Sequence, residues 1–171
     1  LREPFSPVRN KKLTKPSKLI LRPAKLDDVD ALTALSYKTI RVKYPDIIGK
    51  ETVEGYIASG AVPTYYRDRN GSITVAVLDD ELVGACALMD DQIHLMMVTL
   101  DQHRSGIGAT MLADGERTLF ATHNAIGLES FRDNLQAVTF YEKHGWVITE
   151  HFEMPDHGIP MVRMLKSRPD T

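Results

Sequence analysis

With 171 residues, 43% of them hydrophobic and 26% charged, the chain has the size and composition of one globular domain with a sizeable core, and it is short for two. A formal charge of -2 gives no general pull toward nucleic acid or anionic membrane, and no apolar run approaches the roughly 18–20 residues of a membrane span. The single cysteine, Cys86, cannot close an intramolecular disulfide, which fits a reducing compartment and points to the cytoplasm.

Residues 1–17, LREPFSPVRNKKLTKPS, carry three prolines, several Lys and Arg residues and only Glu3 as an acid; they read as a basic flexible arm ahead of a domain over 18–171. They lack the apolar centre of a signal peptide, and a start at Leu1 without an initiator methionine points to processing or to a cut from a longer chain. KLILRP, from Lys18, predicts a strand that stops at Pro23. Asp27 and Asp28 then open an amphipathic helix, DDVDALTALSYKTIRV. YPDIIGKETVEGYIASG reads as a loop and a short helix closed by Gly60. In GSITVAVLDDELVGACALM two β-branched apolar runs flank Asp79–Asp80–Glu81, the pattern of a β-hairpin.

QIHLMMVT is a further strand, followed by HRSGIGATML, a loop that tips into a helix whose Ile107, Met111, Leu112 and Leu119 keep helical spacing. AIGLESF is a fifth strand, NLQAVTFYEKHG a helix ended by Gly145, and WVITEHFE with PMVRML a terminal pair of strands. The strand–helix–strand passage from Gln92 to Phe131 predicts one parallel pair inside a largely antiparallel sheet. The fold class is α/β (α+β), a mixed central sheet with helices on both faces.

The loop His103 to Leu112 is the candidate ligand site, because a helix start carries unpaired N–H groups and the positive end of the macrodipole, which together bind phosphate. A P-loop is excluded, since no GxxxxGK followed by Ser or Thr occurs. A dinucleotide fingerprint finds Gly106, Gly108 and, about twenty residues on, Glu129, but its third glycine position holds Met111 and a loop separates strand from glycine. A plain glycine-rich turn between strand and helix is the remaining alternative.

VTLDQHRSGIGATML together with NLQAVTFYEKHGW resembles the two cofactor-binding motifs of the GNAT superfamily, the acyl-CoA-dependent N-acetyltransferases. The glycine spacing, Asn134, Ala137, Phe140–Tyr141 and the Gly145–Trp146 ending carry the likeness. It implies a parallel strand pair splayed to hold coenzyme A, with acetyl-CoA as cosubstrate. The pyrophosphate then falls on the loop of His103, Arg104, Ser105, Gly106, Ile107, Gly108 and Ala109, where glycine lets backbone approach ligand. His103 stands where the family usually has Arg or Gln. The pantetheine arm falls on backbone near Met97, Val98 and Thr99, and on Asn134, with Ala137 keeping its helix close.

Acetyl transfer to an amine needs a neutral nucleophile, an oxyanion holder and a proton for the leaving thiolate. The resemblance assigns the last to Tyr141 and the oxyanion to a backbone N–H near Val98. Simple alternation places Gln92, His94, Met96 and Val98 on one face of their strand, the cofactor face, which makes His94 the candidate base. Gln92 holds the place of a glutamate in some members and cannot take a proton; Glu129 or a water chain from Asp90–Asp91 are the other sources. The acceptor wall in the family corresponds here to Tyr37, Arg41 and Tyr44, to Glu129, and to Glu153, His157 and Arg163.

Six histidines without ligand spacing predict no metal site, and mid-strand Cys86 reads as inert core. The reading is an N-acetyltransferase acting on a primary amine of a small molecule or peptide by direct attack in a ternary complex. A non-catalytic CoA-binding sensor or regulatory module is the alternative. Neither nucleic acid nor membrane is expected as a partner, and the terminal strands offer an edge for a homodimer.

Overall fold

The structure, a computed structural model, describes residues 17–169. The basic arm expected over 1–17 lies, but for Ser17, outside them. Seven strands form one sheet in the order β1-β2-β3-β4-β5-β7-β6. They are β1 (Leu19–Pro23), β2 (Ile73–Leu78), β3 (Glu81–Met89), β4 (Gln92–Val98), β5 (Ala125–Phe131), β6 (Val147–Glu153) and β7 (Pro160–Ser167). Every neighbouring pair is antiparallel except β4 and β5. An open sheet with a single parallel pair is not a doubly wound dinucleotide fold, so that reading of the glycines falls away.

Two cores lie on opposite faces, and alternation along the central strands feeds both. Ala85 and Ala87 pack with α1 (Val29–Lys43), α3 (Lys50–Ala58) and α4 (Ala61–Asp68), through Leu32, Ile40, Val53, Val62 and Tyr66. Their neighbour Cys86 packs with α5 (Ile107–Phe120) and α6 (Leu135–Lys143), through Met111, Leu112, Val138 and Tyr141. Gly115 brings α5 so near β3 that an added Cβ would lie 3.4 Å from Cys86 Sγ.

The predicted strands and the helices α1, α3, α5 and α6 all form. The first hairpin turn tightens to Asp79–Asp80, both with positive φ (49° and 71°), the backbone state that a two-residue turn between right-twisted strands demands. Two helices are additions: the single turn α2 (Pro45–Ile48) and α4. Left-handed Gly60 (φ 71°) ends one helix and directly starts the next. Pro63 sits in the first turn of α4, where no N–H partner is lost, and Val62 and Tyr66, four apart, form its buried stripe.

β4 and β5 share one bridge, Gln92 with Gly127, beside the Gly127 amide bond to the Asp91 carbonyl at 3.0 Å. Beyond it the strands part. Asp90 and Asp91 lie in the turn at the start of β4, at the opposite end of that strand from the glycine loop.

Candidate active site

The gap between the ends of β4 and β5 opens into a cavity of about 710 Å³. Its walls are Met96, Met97 and Val98 of β4, the loop from Gln102 to Ala109, α6 from Asn134 to Lys143, and Thr39, Lys43 and Tyr44 at the end of α1. The loop is shaped by two residues with left-handed backbone, Arg104 (φ 65°) and Gly106 (φ 87°). An added Cβ at Gly106 would meet no protein atom within 4 Å, so glycine is needed there for its φ and not for room within the protein. The first helical bond of α5 is Thr110 N–H to Gly106 carbonyl, 3.0 Å, which leaves the amides of Ile107, Gly108 and Ala109 ahead of the ladder, the usual anion-binding arrangement.

At the end of β4 the Thr99 amide donates to the Val83 carbonyl (2.8 Å) on the β3 side. Antiparallel alternation therefore turns the amide and carbonyl of Val98 into the gap and those of Met97 back toward β3. On α6 the Asn134 side chain accepts from the Ala137 amide (3.4 Å), capping the helix. One turn on, Tyr141 is 8% exposed and lines the cavity; burial pushes its phenol well above the usual tyrosine range, so it is held as a proton donor.

The acetyltransferase (GNAT) domain model matches residues 32–168. The chain belongs to the GNAT acetyltransferase family. Solved GNAT structures share its fold: a GCN5-related N-acetyltransferase from Rhodopseudomonas palustris (22% identical, TM-score 0.76, covering 87% of this chain and 95% of that chain) and the PaiA N-acetyltransferase from Thermoplasma acidophilum in complex with coenzyme A (17%, TM-score 0.72, 88% and 99%). A third is the ribosomal-protein-alanine N-acetyltransferase from Brucella melitensis (17%, TM-score 0.65, 87% and 99%). No curated protein matches the sequence. As a GNAT domain the chain is an acetyl-CoA-dependent N-acetyltransferase.

Of the residues expected at the GNAT cofactor slot, Met97, Val98, His103, Arg104, Gly106, Gly108, Ala109, Asn134, Ala137 and Tyr141 line the cavity. Three do not. Ile107 is a core residue, 3% exposed; the Ser105 hydroxyl donates to the Gln102 carbonyl (2.5 Å); and Thr99 pairs toward β3 with its hydroxyl buried and unpartnered among the described residues. Of these only the Ile107 amide, ahead of the α5 ladder, is left free, since the Ser105 amide also donates to the Gln102 carbonyl (3.3 Å). His103 is also turned from the expected phosphate role. Its Nε2 is 3.0 Å from the Val98 carbonyl, and the Gln136 amide nitrogen is 3.3 Å from its Nδ1, while Lys43 Nζ donates to Gln136 Oε1 at 2.8 Å.

The shared face expected for Gln92, His94, Met96 and Val98 is corrected by the register of β4. Ile93 pairs with Leu88 and Leu95 with Ala87, leaving His94 as an extra residue against β3. Such a slip re-aims side chains. Met96 and Val98 pack toward α5 and α6, whereas His94 turns to the face of α4, its Nδ1 2.8 Å from the Tyr65 hydroxyl oxygen. Gln92 lies on that same face, over Gly127. Burial and the Arg69 guanidinium lower the His94 pKa, against an opposing pull from Glu129.

The acceptor residues divide as well. Tyr44 lines the cavity and meets Phe131 edge to face at 5.0 Å. Tyr37 instead donates to the Ile57 carbonyl (3.2 Å), and Arg41 is spent in an exposed ion pair with Glu54 (3.0 Å); the spacing of α1 sends Thr39 and Lys43 to the cavity in their place. Glu129 is bound by Arg163 (2.9 Å), which also pairs with Glu150 and lies 5.1 Å over the Phe152 ring. Glu153 and His157 are exposed at the β6–β7 turn, at the end of the sheet where Phe131 of β5 meets Tyr44, and neither lines the cavity. Cys86 is buried, its thiol pushed up to about 12 by burial, and is no nucleophile at neutral pH. Among the described residues no three His, Cys, Asp or Glu side chains gather as a metal site. No helix of the described residues is long and apolar enough to cross a membrane. Sequence reasoning missed Tyr65, Arg69, Lys43 and Gln136; the Val62/Tyr66 spacing after Gly60 was the available signal for the first two.

Proposed function

We propose that this GNAT domain, spanning 18–171, acetylates the primary amine of a small molecule or peptide by direct attack within a ternary complex. The observation that carries the proposal is convergence: Val98's inward backbone, the leading amides of α5, the Asn134 cap and the Tyr141 phenol all meet at one gap between diverging strands. A cavity of this size, with a cationic rim from Arg104 and Lys43, fits a long, anionic, amide-bearing cosubstrate.

Acetyl-CoA supplies the acetyl group as a thioester. The amides of Gly106 to Ala109 hold its pyrophosphate, and Arg104 adds charge. Val98 N–H holds the oxygen that becomes negative as the amine attacks, where a fixed dipole in a water-poor site acts most strongly. His94, on the face opposite α5, takes a proton from the acceptor ammonium so that the neutral amine attacks the thioester carbon; as the C–S bond breaks Tyr141 gives a proton to the departing sulfur, and the second proton lost from the nitrogen as the amide forms restores the phenol. Glu129 lies on the His94 side of the sheet and attracts a cationic acceptor. Work in the cytoplasm, no nucleic-acid or membrane partner, and pairing of two copies through edge strand β6, where Val147 is 62% exposed, complete the reading.

The test is thiol release from acetyl-CoA across a panel of primary amines and N-terminal peptides, in native protein and in His94→Gln and Tyr141→Phe. Amine-dependent release that each substitution reduces supports the proposal. Release with no amine dependence, or activity untouched by both substitutions, overturns it.

A further inference from the structure

The geometry points to Tyr65 as the positioning residue that holds His94 with its proton on Nδ1, leaving Nε2 open to accept one; this rests on the proposed role of His94 as base. The contact is 2.8 Å between the Tyr65 hydroxyl oxygen and His94 Nδ1, with the two rings 5.5 Å apart and within 13° of parallel. No described residue bonds to Nε2.

Two hydrogen arrangements satisfy that distance, and they have opposite consequences. If the Tyr65 hydroxyl donated to Nδ1, the neutral ring would carry its hydrogen on Nε2 and have nothing with which to take a proton there. If Nδ1–H donates to the Tyr65 oxygen, Nε2 keeps its lone pair. Only this second arrangement survives the reaction unchanged, because the imidazolium formed when Nε2 takes a proton still has Nδ1–H to donate. The first would force the Tyr65 hydrogen to turn away each time the ring charged.

Tyr65 is itself braced. Its ring meets Tyr66 edge to face at 5.6 Å, and Tyr66, 1% exposed, has its hydroxyl 2.7 Å from Ser36 Oγ. The Arg69 guanidinium lies over the Tyr65 ring at 4.8 Å. Burial pushes the Tyr65 phenol up to about 12, so it is an uncharged partner throughout the neutral range. The charged groups facing His94 are Arg69, the residue that caps the C-terminus of α4, and Glu129 from β5, the latter tied to Arg163 of β7. The register slip at His94 is what turns the imidazole toward α4 at all.

The ring state is readable without turnover, so this inference and the proposed base role fail separately. Nitrogen-15 NMR of the histidine rings, followed across a pH titration in native protein and in Tyr65→Phe, reports both tautomer and titration. The expected result is a neutral His94 protonated on Nδ1 in the native protein. In Tyr65→Phe that preference is lost and the midpoint moves to lower pH, because a charge-assisted acceptor has gone. With an amine that the native protein acetylates, kcat/KM of Tyr65→Phe falls by about tenfold, short of the roughly 10²–10⁴ that a general base supplies. A native ring protonated on Nε2, or a Tyr65→Phe protein with unaltered tautomer and midpoint, overturns the inference.

Discussion

His103 Nε2 donates to the Val98 carbonyl at 3.0 Å, so the one strand-end carbonyl turned into the cavity is already engaged by the protein. A carbonyl oxygen can only accept, which puts the ring proton on the Nε2 that faces it and makes Nδ1 an acceptor for the Gln136 amide. Through Gln136 the chain of bonds reaches Lys43 and ties β4, the glycine loop, α6 and α1 together across the cavity.

A pantetheine arm that pairs with Val98 must displace that bond. A net hydrogen bond is worth about 0.5–1.5 kcal/mol, so His103→Ala is expected to bind CoA about two- to tenfold tighter by isothermal titration. Weakening of binding by the same factor would show that His103 contacts the cofactor directly.

Tyr141 sits deep at the gap with its phenol held protonated by burial. Tyr141→Phe removes the hydroxyl and leaves the ring, so kcat is expected to drop by about 10²–10³ while CoA affinity by titration stays within about twofold. A variant with native kcat would transfer the acid role to water.

Burial and Arg69 both disfavour the imidazolium of His94. The base form then persists below the usual histidine value of about 6.5, and kcat/KM should hold as pH falls until it drops through that lowered value. Removing the cation in Arg69→Gln raises the value and moves the acid limb to higher pH; Glu129→Gln removes the opposing carboxylate and moves it lower. A pH–rate profile of the three proteins checks the signs, and a limb that ignores both substitutions would contradict them.

Trp146, 2% exposed, donates from Nε1 to Glu116 at 2.8 Å, and Lys166 holds the other carboxylate oxygen at 2.7 Å. Trp146→Ala empties the floor beneath α6 and strips Glu116 of one donor, for an expected loss of about 3–5 kcal/mol in urea unfolding. A loss under about 1 kcal/mol would mean that the α5, α6 and β7 contacts at this point carry little.

Most of the architecture was legible because its signals are local. Alternation in ITVAVL and ELVGACALM, the Gly145 stop and the Asn134 cap each name an element without reference to the rest of the chain. The glycine loop and the Asn134 cap, which line one cavity, were legible for the same reason, since they lie in two short motifs. What escaped depends on partners distant in sequence. The face of His94 follows from a slip against Leu88 and Ala87 on β3, and the opposed directions of Met97 and Val98 follow from which strand Thr99 bonds. Arg41 looked available until Glu54, on another helix, claimed it. Helix α4 was hidden by Gly60 and Pro63, breakers in a helix interior that are tolerated at a start.

Thermal unfolding with and without acetyl-CoA, beside CoA, NAD and ATP at equal concentration, tests the central claim most directly. A ligand at about a hundred times its Kd adds roughly 2.7 kcal/mol, which raises Tm by several degrees in a domain of this size. The account predicts that rise with acetyl-CoA and CoA and none of comparable size with NAD. A larger shift with NAD, or no shift with either CoA species, would contradict it.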